Sequence, residues 1–145
     1  MRFNFSHVRT LPEATFELSE LGGNVKLKGR IATEANKPYF NAMLKAGGKR
    51  LRELARGKLS AEMMARNREE DALLYPKYVI TGWSGVEAED RTPAVFSAEA
   101  CAEFFAQLVK EAPWVFDRVR NFFAAPENFL EEEEVAPDPA VVMGN

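Results

Sequence analysis

A chain of 145 residues with 46% hydrophobic content can build one compact core but is short for two full domains. Its net charge of −3 conceals an asymmetry, since residues 1–60 carry twelve Lys/Arg against five Asp/Glu and residues 61–145 carry seven against seventeen. The halves attract one another where they pack, and the single Cys101 excludes a disulfide framework within the chain. No apolar run approaches the length of about 18 residues that a membrane span requires. The opening Met1-Arg2-Phe3-Asn4-Phe5-Ser6-His7 lacks the apolar segment and cleavage site of a signal peptide. These features predict a soluble protein of the reducing cytoplasm with no membrane partner.

In chain order, the first readable element is a β-hairpin over residues 15–31. Phe16-Glu17-Leu18 alternates, Gly22-Gly23-Asn24 supplies the turn, and Val25, Leu27, Gly29 and Ile31 line one side of the second strand. A hairpin alone is marginal, so it must lie on helices or join strands of another subunit.

Helical spacing begins after Thr33, a candidate N-cap followed by Glu34. Helices are predicted over 34–46, 49–57, 61–80, 98–111 and 113–124. Gly47-Gly48 breaks or bends the first pair, and Gly57 with Ser60 separates the second helix from the third. Lys45, Lys49, Arg50, Arg52, Arg56 and Lys58 make a basic face, which serves either as solvated surface or as a docking site for an acidic protein. Nucleic acid is not the expected partner, because no exposed aromatic platform or recognition element accompanies the cations.

The third helix has an apolar face of Met64, Ala65, Ala72, Tyr75 and Val79 and a wet face of Arg66, Arg68, Glu69, Glu70 and Asp71. Pro76 lies inside its pattern and predicts a kink or an early end. The densest apolar run, Tyr75 to Val86, closes on Gly82-Trp83-Ser84-Gly85. Trp83 has two readings: a plug folded beneath the helices, with Gly82 in the left-handed conformation that ends a helix, or an exposed interface anchor. Residues 87–93 read as a turn or small hairpin leading to Val95-Phe96.

Ser97 caps the next helix, whose apolar stripe is Cys101, Phe104, Phe105 and Leu108. Pro113 starts the last helix, Phe116, Val119, Phe122 and Phe123 continue the core, Pro126 stops it and Phe129 docks back. The expected fold is thus mainly α (α+β), a single domain over 1–130 with its helical part at 33–129. From Glu131 to Asn145 an acidic tail carries too few apolar groups to order itself and is expected to be flexible.

Catalytic constellations are missing. His7 stands near one end, Cys101 sits on an apolar stripe, Glu69, Glu70 and Asp71 diverge around a helix, and Gly22-Gly23 and Gly47-Gly48 lack a phosphate-loop ending. No metal-ligand spacing is present, so neither an enzyme nor a cofactor is expected.

Three patches carry a family resemblance: Thr33-Glu34-Ala35-Asn36-Lys37-Pro38-Tyr39-Phe40-Asn41 with the β segment before it, Tyr78 to Glu87 around Trp83, and Trp114 to Phe122 with Pro126-Glu127-Asn128-Phe129. In these patches the chain resembles the small tail assembly chaperones of long-tailed bacteriophages. The resemblance implies a non-enzymatic protein of the host cell cytoplasm. It would bind the tape-measure protein and help recruit major tail (tube) protein during morphogenesis of a non-contractile tail, alone or as a homo-oligomer. The alternative is a structural subunit of the tail or neck retained in the virion. Lys45, Lys49, Arg50, Arg52, Arg56 and Trp83 are the candidate interaction residues.

Overall fold

A computed structural model of the chain describes residues 1–22, 24–57 and 60–131. Three short strands, β1 (Ala14–Glu17), β2 (Lys26–Gly29) and β3 (Ile80–Ser84), form an antiparallel sheet in the order β1-β2-β3. Four helices complete the mainly α architecture: α1 (Lys37–Ala55), α2 (Ala61–Tyr78), α3 (Ala98–Glu111) and α4 (Pro113–Phe123). The acidic run expected to be a flexible tail lies, from Glu132 onward, outside the described residues. So do Gly23, Lys58 and, within α1, the side chains at 48–51 and 53–55.

The expected hairpin is present, with Phe16 opposite Leu27 and Leu18 N–H donating to the Val25 carbonyl at 2.8 Å, but it is two thirds of a sheet. The third strand comes from the stretch read as a helix end with a folded-back tryptophan. The helix predicted to reach residue 80 stops at Tyr78, two residues after Pro76, whose missing N–H leaves the Ala72 carbonyl without its helical partner. Val79 caps the helix, and the β-branched Ile80-Thr81 then open the strand, pairing Trp83 with Leu27 and Ile80 with Gly29 across an irregularity at Lys28/Gly29. Gly82 is an ordinary strand residue, and it is Gly85, with φ of 76°, that turns the chain. A Cβ there would lie 2.2 Å from the Asn24 carbonyl oxygen, so only glycine allows this approach.

The first helix also begins later than expected, at Lys37 rather than Glu34. Thr33 instead holds a turn, accepting from Ala35 N–H at its hydroxyl and from Asn36 N–H at its carbonyl, and Asn36 is the residue that caps the helix through Tyr39 N–H at 3.3 Å. A helix starting at residue 34 would place Pro38 where its absent N–H and its ring conflict with the Glu34 carbonyl, whereas in the first turn proline is tolerated. The break expected between the helices 34–46 and 49–57 is present: α1 joins two helical pieces across a kink at Gly47, where φ is −132° and ψ 22°, and its second piece ends at Ala55. Ser60 and Ser97 cap α2 and α3 through Met63 and Ala100 N–H, and Pro113 opens α4, as the sequence indicates.

The core lies between the sheet and α2, α3 and α4. Tyr75, 1% exposed, meets Tyr39, Phe116 and Phe123 edge-on at 5.6, 5.9 and 6.5 Å, and Phe105 tilts against Phe116 at 4.9 Å. Phe16 stacks on Phe122 at 4.7 Å. A Cβ on Gly29 would fall 2.7 Å from the Val79 carbonyl oxygen and 2.9 Å from the Phe123 ring, so the absence of a side chain lets α4 reach the sheet. Phe129 is buried on a 3-10 turn over Pro126–Phe129, and the chain from it to Glu131 pairs with the opening segment: Leu11 N–H donates to Phe129 O at 2.7 Å and Glu131 N–H to Arg9 O at 2.8 Å.

Candidate functional site

The surface of α1 keeps part of the basic face read from the sequence. Lys45, Arg52 and Arg56 are exposed, and no ion pair between described residues involves any of them. Gly47 bends the helix between Lys45 and Arg52, and Arg56 follows its end at Ala55 in a turn completed by Gly57, with φ of 76°. The Lys49 and Arg50 side chains lie outside the described residues. Exposed cations outside the ion pairs of the described residues keep their field available to an approaching acidic surface.

Trp83 stands on the core-facing side of β3, half-buried. Its indole Nε1–H donates to the Ala94 carbonyl at 2.8 Å, and its ring meets Phe96 and Phe104 edge-on at 5.2 and 5.5 Å. The segment carrying Ala94 and Phe96 is brought there by the small hairpin expected at 87–93, whose Glu87 and Pro93 bridge and whose Ala94 N–H donates to Val86 O at 2.8 Å. Trp83 and the α1 cations thus sit on separate elements, the tryptophan held by strand and helix packing and the cations by a helix surface.

A charged cluster that the sequence did not single out joins α2 to α4. Arg68 and Asp71, placed on the wet face of α2 by periodicity, turn instead toward α4. Arg68 donates twice to Asp117, at 2.9 and 2.7 Å; Arg120 donates to Asp71 at 2.8 Å and to Asp117 at 3.2 Å. The Tyr39 hydroxyl donates to the remaining Asp71 oxygen at 2.7 Å, which brings in α1. Two cations and two carboxylates alternate, so charge cancels within the ladder. The paired hydrogen bonds from Arg68 hold the Asp117 carboxyl below the usual carboxylate range and raise Arg68 in turn. Burial works to lower the pKa of Arg120, but the Asp71 carboxylate outweighs it and the net shift is upward. Burial, reinforced by the charge on Asp71, pushes the Tyr75 hydroxyl well above its ordinary value. A second contact between charged groups locks α4 to the sheet: Arg118 pairs with Glu20 and lies over the Phe16 ring at 5.7 Å.

The groups with nucleophilic or ligand chemistry are scattered. Cys101 is fully buried on α3 and burial pushes its thiol up to about 12, so it stays protonated at neutral pH. His7 lies in an exposed turn of the opening segment. Among the described residues no three His, Cys, Asp or Glu side chains are grouped to hold a metal ion, and no helix is long and apolar enough to cross a membrane.

Fold and surfaces together define a mainly α protein with a paired charge ladder between α2 and α4 and exposed charges of both signs, such as Lys45, Arg52 and Arg56 on one stretch and Glu87, Glu89 and Asp90 on another. A family model described as YdaY prophage protein matches residues 34–136 of the chain, and the chain belongs to that family. It is therefore of bacteriophage origin. No curated protein and no solved structure matches it.

Proposed function

We propose that this phage-derived protein is a tail assembly chaperone, which holds the tape-measure protein in the host cell cytoplasm and helps recruit tail-tube subunits around it, acting by binding and not by catalysis. The observation that carries this reading is the prophage-family match over residues 34–136, since it takes in the second and third patches in which the chain resembles tail assembly chaperones, and the first from Glu34 onward. The surface chemistry agrees with the role. Holding a long helical client takes adhesive apolar positions and a charged face, and Leu73 at 66%, Trp114 at 59% and Val95 at 86% exposure stand alongside the cations of α1.

Prophage induction supplies the test. A chaperone co-purifies with tape-measure protein from cells in mid-assembly, raises its soluble yield on co-expression, and is missing from purified mature particles. Recovery in those particles at a fixed ratio to the tail-tube protein would replace this reading with that of a structural subunit. Failure to bind the tape-measure protein at all would remove the tail role.

A further inference from the structure

Residues 1–9 form an arm whose large side chains are left in water. Phe3 and Phe5 are 72% and 71% exposed, and Met1 and Val8 are exposed with them. The arm is anchored at its root, where Thr10 bridges Leu130 and the Arg9 carbonyl accepts from Glu131 N–H, and a turn closed by Val8 N–H to Phe5 O shapes it beyond. Its direction from the body is thus set by backbone bonds, while Phe3 and Phe5 remain largely exposed.

Beside that root opens a cleft of about 530 Å³ walled by Leu11, Pro12, Ile31, Pro38, Pro126 and Phe129. A cavity of roughly 150 Å³ suffices for one benzene ring, so the cleft has room for more than one aromatic side chain. The arm does not fill its own cleft, as the exposure of Phe3 and Phe5 shows.

We propose that this cleft receives the arm of a second copy of the chain, in a reciprocal exchange about a two-fold axis. Two features select a second copy as the occupant. Exposed arm and open cleft belong to the same chain, with Leu11 of the cleft wall two residues past the arm, so a two-fold operation that places one arm on the neighbour's cleft returns the neighbour's arm to the first, the self-complementary arrangement of an isologous dimer. The area also suffices. A buried aromatic side chain removes roughly 150–250 Å² from water, so two arms with Phe3, Phe5 and their apolar neighbours, together with the surface they cover, exceed the roughly 1,200 Å² at which stable interfaces begin. This assembly is independent of the tail role and stands or falls apart from it.

Sedimentation equilibrium on the full chain tests the exchange, beside a double variant Phe3→Ser/Phe5→Ser and a cleft variant Ala35→Trp. Ala35 is exposed and lines the cleft from the turn before α1, so a large ring there blocks the cleft without entering the core. The parent chain should dimerise, and each variant should raise the dissociation constant by about a hundredfold with its helical circular dichroism unchanged. The proposal is overturned by a parent chain still monomeric at about 100 µM, or by either variant dimerising as tightly as the parent. A monomeric parent whose arm variant loses tape-measure binding would assign the arm to that partner instead.

Discussion

Two groups of charged side chains lie on neighbouring helices and behave oppositely. Between α2 and α4, Arg68, Asp71, Asp117 and Arg120 alternate in sign, are largely withdrawn from water, and satisfy one another at 2.7 to 3.2 Å. On α1, Lys45, Arg52 and Arg56 are of one sign, exposed, and outside every ion pair among the described residues. The first arrangement consumes its charge in holding helices together; the second leaves its charge to act at a distance. Composition alone does not separate them, because each uses arginine on an amphipathic helix. What separates them is whether the opposing element presents carboxylates at the right height.

Removing Arg120 gives the largest difference between the two groups. Arg120→Met takes the bond from Asp71, which is left with the Tyr39 hydroxyl, and one of the bonds to Asp117. The loss of hydrogen bonds between charged groups at a half-buried site should cost about 2 to 3 kcal/mol, read from chemical denaturation at neutral pH. No change in midpoint would show that the ladder contributes nothing net. Asp117→Asn should cost less, about 1 to 2 kcal/mol, and its effect should depend on pH. The folded carboxyl of Asp117 has a pKa below its unfolded value, so its contribution is complete above the ordinary carboxylate range and is lost as pH falls through the folded pKa. The gap between parent and variant should therefore close below about pH 4, and a gap that stays constant in acid would exclude Asp117 as its source.

How much of this could be read from the chain depends on the range of the interactions involved. The starts of α2, α3 and α4 were legible because Ser60, Ser97 and Pro113 act on their own first turns. The start of α1 was legible in principle: Pro38 forbids a helix begun at Glu34, and the capping residue is Asn36, two positions past that start. The strand β3 was not, since Ile80–Ser84 follows a helix without a loop and its pairing with Lys26–Gly29 joins residues more than fifty positions apart. The charged ladder failed for the same reason. Periodicity placed Arg68 and Asp71 on the wet side of α2, and only the position of α4, with Asp117 and Arg120 three residues apart, turns that side into an interface. The basic face of α1 was visible in the sequence as a cluster of like charges, and its exposed members are where helical spacing placed them.

The smallest effect on stability is expected at that face, where the largest effect on association should occur. Lys45→Glu/Arg52→Glu/Arg56→Glu replaces three exposed cations that enter no ion pair among the described residues, so the denaturation midpoint should move by no more than about 0.5 kcal/mol. Association is governed by other terms. Each reversal changes the local charge by two, and a field acting over the screening length of about 8 to 10 Å raises the encounter rate with an acidic surface without requiring a formed contact. For the tape-measure protein as partner, the association rate at low salt should fall by about tenfold in the triple variant, and its dependence on ionic strength should flatten, with the dissociation rate little changed. Stopped-flow binding at two ionic strengths reads both quantities at once. Equal rates for parent and variant at low salt would reduce the α1 cations to solvated surface. A faster dissociation with an unaltered association rate would instead mean that these side chains form short contacts in the complex, which would make them resemble the α2–α4 ladder after all.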